Sequence, residues 1–360
     1  MDIAYLHLYV RNADSWRDWF VQNLNFQSMS TTGLAQFGDR AVQSGHIRIL
    51  LSSEHSGNPE VTQFLQQHPE GVADVAFRVN ALDTWITQVQ QQRDALIEGI
   101  QTWESPDGPW RWCRVRGWGG IYHTLIEQPA VFTPESALYE LKHSEASPSP
   151  RWQSIDHAVL NVPKGELDAA AAWYETCLGF TRQQQFAIAT QQSGLRSLVL
   201  KHPQGSAMMP VNEPTSANSQ IQEFLDLHGG AGIQHAALRT HNLVRTVSFL
   251  RQRGLAFLTV PSTYYEQLKQ RPGFWHQADD WDAIAQQQIL VDWPSEEPHL
   301  RLLQTFTQPL LEQPTFFWEL IERQTKVTMQ GLKQVEGFGE GNFQALFEAI
   351  EREQQQRGSL

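Results

Sequence analysis

An internal repeat constrains this chain more than any other feature. It begins "DIAYLHLYVRNADSWRDWFVQNLNF", a short alternating strand followed by an amphipathic helix, and "SIDHAVLNVPKGELDAAAAWYETCLGF" repeats that layout from Ser154. Ile155, His157 and Val159 fall against Ile3, Tyr5 and His7, while Trp173, Tyr174, Leu178 and Phe180 fall against Trp19, Phe20, Leu24 and Phe26. A second echo pairs "GVADVAFRVNALDTWITQVQQQ" from Gly71 with "GIQHAALRTHNLVRTVSFLRQRG" from Gly232. The unit therefore occurs four times, as a strand, a helix and further antiparallel strands such as "RILLSS", "LVLKH" and "RLLQTF". Short strands of this kind cannot bury their apolar faces alone. Paired βαβββ units should curl into an open barrel-like sheet with helices outside, an α+β fold made of two similar domains.

The break between them is "LKHSEASPSPRWQ", where serine, proline and charge replace apolar periodicity. It sets the expected domains at residues 1–140 and 154–360, joined by a linker at 141–153. At 360 residues the chain is long enough for both to hold a core. Its 27 basic and 39 acidic residues give a net charge of −12, which argues against a nucleic-acid partner held by phosphate contacts. An anionic small molecule would need a local positive centre, and a bound metal supplies one. Cys113 and Cys177 are the only cysteines, too few for a disulfide framework. With no long apolar run and no basic leader, a cytoplasmic protein without membrane insertion is expected.

"GAGIQHAALRT" reads as a buried strand, yet carries Gln234 and His235 side by side. His235 lies 235 − 157 = 78 residues after His157, at the matching place of the next unit. In "QPTFFWELIERQ", alternation sets Phe317, Glu319 and Ile321 on one face. A carboxylate in so apolar a strand is costly unless a cation partners it, and a metal held by His157, His235 and Glu319 removes that cost. Two imidazoles and one carboxylate with positions left open suit non-haem Fe(II) oxygen chemistry, although Mn(II), Co(II) or Zn(II) fit the same donors. In the first half Tyr5, Asp74 and Thr124 stand in these places and cannot form the triad. That half is expected to be non-catalytic.

The other histidines lack companions. His7 and His123 sit in first-half strands, and His202, His228, His276 and His299 in expected loops. "GFGEGNF" follows no βαβ strand and is not a dinucleotide loop. After it, Phe343, Leu346, Phe347 and Ile350 mark a terminal amphipathic helix, able to pack across the open side of the sheet or to act as a lid. Strict alternation sends Gln234 and His235 to opposite faces, so both serve one pocket only if the approach from Gly229 to Gly232 distorts the strand.

"IDHAVLNV", "MMPVNEP", "SQIQEFL", "GAGIQHAAL", "VPSTYYEQL", "ILVD", "LLQTFTQP", "PTFFWELIERQ" and "GFGEGNFQALFEAIE" together resemble the 4-hydroxyphenylpyruvate dioxygenase family, in order from Ile155 to Glu351. The first half resembles it only in layout. The resemblance implies two vicinal-oxygen-chelate domains and Fe(II) on His157, His235 and Glu319. It also implies Ser197, Asn212, Gln220, Gln234 and Gln304 as polar groups around the substrate, walled by Phe306, Phe317, Phe338 and Phe343. The implied reaction turns 4-hydroxyphenylpyruvate and O2 into homogentisate and CO2, serving tyrosine breakdown or quinone and tocopherol synthesis, in a homodimer or homotetramer. The nearest alternative is the sister hydroxymandelate synthase, whose pattern usually lacks the asparagine that stands here as Asn212 in "VNEP". A non-enzymatic binding protein of the same fold is more distant.

Overall fold

The computed structural model describes residues 1–29, 38–90, 95–105, 108–128, 152–190, 192–274, 280–328 and 331–358. In the first half β1 (Asp2–Tyr9) leads through α1 (Ala13–Leu24) to β2 (Gln27–Ser28), β3 (Arg40–Ser44) and β4 (Ile47–Ser52). After α2 (Pro59–Gln67), β5 (Gly71–Arg78) leads through α3 (Leu82–Val89) to β6 (Leu96–Ser105), β7 (Gly108–Arg116) and β8 (Tyr122–Glu127). The second half repeats this with β9 (Trp152–Asn161), α4 (Leu167–Leu178), β10 (Thr181–Ala189), β11 (Gly194–Lys201) and β12 (Met208–Pro214). Then come α5 (Gln220–His228), β13 (Gly232–Thr240), α6 (Leu243–Gln252), α7 (Ser262–Leu268), α8 (Trp281–Gln286), β14 (Leu290–Asp292), β15 (Leu302–Phe306) and β16 (Phe317–Arg323).

Each half is one eight-stranded sheet, in the order β2-β3-β4-β1-β5-β8-β7-β6 or β10-β11-β12-β9-β13-β16-β15-β14. At the centre β1 pairs antiparallel with β5 and β9 with β13, while β1 to β4, β5 to β8, β9 to β12 and β13 to β16 are parallel. A parallel neighbour requires a crossover, and the helix in each unit supplies it. The expected α+β pair of βαβββ-built sheets is therefore the observed architecture.

Alternation gives each central strand two buried faces. Leu6, Leu8, Val75 and Phe77 of the first sheet share one core with Leu160, Leu238, Leu320 and the helix residues Phe20, Tyr174 and Leu250. Burying each of these side chains stabilises the fold by roughly 1.5–3 kcal/mol. Polar contacts close the same seam: Trp152 Nε1 donates to the Leu24 carbonyl at 2.8 Å, and His123 Nε2 meets the Tyr174 hydroxyl at 2.9 Å. The opposite, concave faces carry separate clusters, Tyr5, Leu50, Ala76 and Trp110 in one sheet and Ala237, Leu302 and Ile321 in the other, the latter joined by Val335 from the segment after the hairpin.

A hairpin of β17 (Thr325–Thr328) and β18 (Gly331–Gln334) precedes α9 (Glu340–Arg357), the expected terminal helix, which buries Leu346 and Phe347. Two details differ from expectation. His228 is no loop residue but the buried last residue of α5, because Gly229 and not His228 takes the left-handed cap. His202 does lie in the loop that follows β11, as expected, and is buried there. β9 already starts at Trp152, inside the expected linker, whose residues 141–151 lie outside the described residues, as does His276. Both cysteines are buried free thiols, and burial raises Cys113 to about 12 and Cys177 to about 11. Among the described residues no helix is long and apolar enough to cross a membrane.

Candidate metal centre

The repeat brings three side chains from three adjacent central strands to one point. His157 on β9 lies opposite Ala237 on β13, and His235 on β13 lies beside Phe317 on β16, two residues before Glu319. Each of the three offers a donor atom within 4.8 Å of the others, and all three are buried. His157 Nε2 stands 3.1 Å from Glu319 Oε2, and His235 Nε2 3.7 Å from the same oxygen.

The electrostatics show what the cluster lacks. Burial opposes protonation of His157, but the Glu319 and Asp156 carboxylates outweigh it and raise its pKa to about 9. Burial, aided by His157, holds His235 well below the usual imidazole range. The two carboxylates therefore favour a positive charge at His157, against the cost of burying it. The neutral His235 retains a lone pair to give, and its Nδ1 has no protein partner. A hard or borderline divalent cation fits this donor set. His157 Nδ1 donates to Asp156 Oδ1 at 3.0 Å, which leaves Nε2 free as a ligand.

Aromatic rings fix the imidazoles. Phe317 stacks on His235 at 4.7 Å with 16° between planes, and Phe306 stands 6.1 Å from Phe317. Phe338, just before α9, lies 4.5 Å from the His157 ring. Phe343 is one turn further and only half-buried, with its ring centre 5.0 Å from that of Phe186, edge to face, on the edge strand β10. Gln304 Nε2 donates to Glu319 Oε1 at 2.9 Å.

A second polar group gathers away from the triad. Ser197 pairs in register with Asn212, and Asn212 with Asn161, which lies four residues after His157 on the same face of β9. At strand rise this is roughly 13 Å from His157. Asn212 Nδ2 donates to Asn161 Oδ1 at 3.3 Å, leaving Asn161 Nδ2 and Asn212 Oδ1 buried without protein partners. Gln220 is the buried first residue of α5.

The register also resolves the Gln234 and His235 pair. Ile233 faces Leu160 and His235 faces Val159, so Gln234 is an extra residue, a bulge. The distortion thus falls on Gln234 itself and not on the glycines before it. The first half has its bulge at the matching Ala73, between Val72 opposite Leu8 and Asp74 opposite His7. There Ala73 packs with Tyr9, Val61 and Phe64 under α2.

Sequence reasoning passed over Asp156, Arg323, Asn161 and Asn342. Asp156 adjoins the candidate donor His157 in sequence, and Arg323 follows Glu319 by two strand periods of two residues, so both left a faint signal. Asn342 left none: its Nδ2 donates to Gln304 Oε1 at 2.8 Å across 38 residues.

A family model described as the Glyoxalase/Bleomycin resistance protein/Dioxygenase superfamily matches residues 154–270. The chain is 35% identical to a 4-hydroxyphenylpyruvate dioxygenase of Caenorhabditis elegans, over 99% of this chain and 93% of the relative. The Xenopus tropicalis enzyme of that name is 33% identical, over 100% and 93%. Among solved structures, a triple mutant of 4-hydroxymandelate synthase from Streptomyces coelicolor superposes with a TM-score of 0.79 at 25% identity, covering 98% of each chain. Carrying a buried two-histidine, one-carboxylate cluster and aligning along its whole length with such relatives, the chain belongs to the 4-hydroxyphenylpyruvate dioxygenase family.

Proposed function

We propose that this protein is an Fe(II)-dependent dioxygenase that converts 4-hydroxyphenylpyruvate and O2 to homogentisate and CO2. The observation that carries the reading is the buried cluster of His157, His235 and Glu319 beside stacked phenylalanines, in a chain of this family. Iron held by His157, His235 and Glu319 would supply a positive centre for the two oxygens of the α-keto acid and the means to activate oxygen.

The chain's own residues bind, orient and exclude water. Phe306, Phe317 and Phe338 wall the aromatic ring, and Phe343 closes the outer side against Phe186. At the far end the unpaired amide atoms of Asn161 and Asn212, with Ser197, offer hydrogen bonds to the phenol, since buried polar atoms normally find a partner. Gln304 holds Glu319 in its ligating orientation, and Gln220 at the start of α5 and Gln234 at the β13 bulge are the further polar groups that the family resemblance assigns to the substrate. Holding a substrate in one reactive pose in a dry pocket is the protein's main contribution to rate.

The test is anaerobic reconstitution with Fe(II), then addition of 4-hydroxyphenylpyruvate and oxygen with product identification. Homogentisate is the expected product. 4-Hydroxymandelate would transfer the reading to the sister synthase, and no oxygen uptake by iron-loaded protein would overturn both.

A further inference from the structure

Two polar chains run from the metal-ligand cluster into the segment that opens α9. In the first, Asp156 accepts from His157 Nδ1 at 3.0 Å and from Arg323 Nε and Nη2, each at 2.8 Å. The remaining nitrogen, Arg323 Nη1, donates to the Gly337 carbonyl at 2.8 Å. The next residue, Phe338, returns to His157 with its ring 4.5 Å away. The path closes on itself: ligand, carboxylate, guanidinium, backbone, phenyl ring, ligand. In the second chain Glu319 Oε1 accepts from Gln304, and Gln304 Oε1 accepts from Asn342 Nδ2 at 2.8 Å. Asn342 Oδ1 in turn accepts from the Tyr264 hydroxyl at 3.0 Å. Between the two attachments Gly339 has φ +67, and a Cβ there would come within 2.8 Å of Gln304 Oε1. Only glycine fits so close to that amide.

Arg323 and Asp156 are both buried. A buried ion pair is weak as a source of stability, because desolvation cancels much of the attraction. Its geometry is the informative part. One planar guanidinium grips a carboxylate along one edge and a carbonyl with its other nitrogen, which a lysine cannot do. The geometry points to Arg323 as a positioning residue that couples the metal centre to the terminal segment. The conformation of residues 337–342 that seats α9 is the one in which His157 and Glu319 are held ready for a cation. Seating the helix therefore tightens metal binding, and by linkage metal binding seats the helix by the same factor. Because Phe338 and Phe343 ride on this segment, loading the centre favours closure of the aromatic wall by that same factor. This inference rests on the metal-centre reading above.

The test is hydrogen exchange across residues 337–352 of the full chain, with and without Co(II) and anaerobic Fe(II), alongside metal titration. Loading should slow exchange there at least tenfold. Arg323→Lys should bind metal about tenfold more weakly, as expected when an outer partner of a ligand is lost, and should lose most of the metal-dependent protection. Asn342→Ala should lose part of it. Should Arg323→Lys fail to fold, the neutral pair Asp156→Asn with Arg323→Gln carries the same test without stranding a buried charge. Arg301→Gln, which removes an ion pair to Asp280, serves as the control and should behave as wild type. Unchanged exchange on loading, or wild-type affinity and protection in Arg323→Lys, would overturn the inference. Wild-type protein that takes up no metal at all would instead remove the metal-centre reading beneath it.

Discussion

The two concave faces are built on one plan and hold opposite contents. Where the second half has His157, His235 and Glu319, register for register the first has Tyr5, Asp74 and Thr124. Across from Thr124 stands Arg114, and across from Glu319 stands Phe306. Glu60 lies four residues before Phe64 as Gln220 lies four before Phe224. In the first half these groups satisfy one another. Asp74 accepts from Thr124 N at 3.0 Å and from its hydroxyl at 2.5 Å, while Arg114 pairs with Glu60 at 2.8 Å and lies over the Tyr122 ring at 4.4 Å. In the second half His235 Nδ1, Asn161 Nδ2 and Asn212 Oδ1 are left without protein partners. The candidate site differs from its copy in having needs that the protein itself does not meet.

The comparison breaks first at the ligands. His235→Ala should lower metal content and turnover more than about a thousandfold, several kcal/mol of lost metal stabilisation, whereas Asp74→Asn should leave both within about twofold. Metal analysis with product assay reads this, and retained turnover in His235→Ala would end the assignment.

The first half should carry an acid sensitivity of its own, independent of the metal-ligand cluster. Burial lowers His123 to about 4 and His7 to about 3. The unfolded chain takes up a proton on His123 below about pH 6.5, the folded chain only below about 4, so stability is full above 6.5 and falls as pH drops through that window. The loss is about 3 kcal/mol for His123. Urea melts of His123→Gln between pH 7.5 and 4.5 should show a flatter decline, and an unaltered slope would refute it.

Gln304→Leu should weaken metal affinity about 10- to 100-fold through Glu319. Trp112→Leu, at the matching first-half position, should leave affinity unchanged in the same titration. The smallest effect is expected at the far end of the pocket. Asn212→Ala should raise KM about 5- to 20-fold, the cost of one buried hydrogen bond, with metal content unchanged. Ser52→Ala, its first-half counterpart, should not move KM, and equal effects from both would blur the distinction drawn between the halves.

Much of this was legible in the chain. Strand and helix periods carry the repeat, and because a repeated unit occupies equivalent places, His157 and His235 could be brought together without coordinates. The cost of a carboxylate in "FFWELIE" pointed to Glu319 for the same local reason. The site's support was less visible. The bulge that admits Gln234 needs the register against β9, since a strand's own residues do not reveal which of them goes unpaired.

The sequence by itself determined the repeated units, the asymmetry between the halves and the three donors, because each follows from periodicity or residue type within a few residues. Only the tertiary structure decided how those donors are held. The Asp156 to Arg323 pair spans 167 residues and the Gln304 to Asn342 bond 38, and nothing local favours either. Folding sets their geometry, when sheet, hairpin and terminal helix exclude water from the same small volume and each buried polar group must find its partner there.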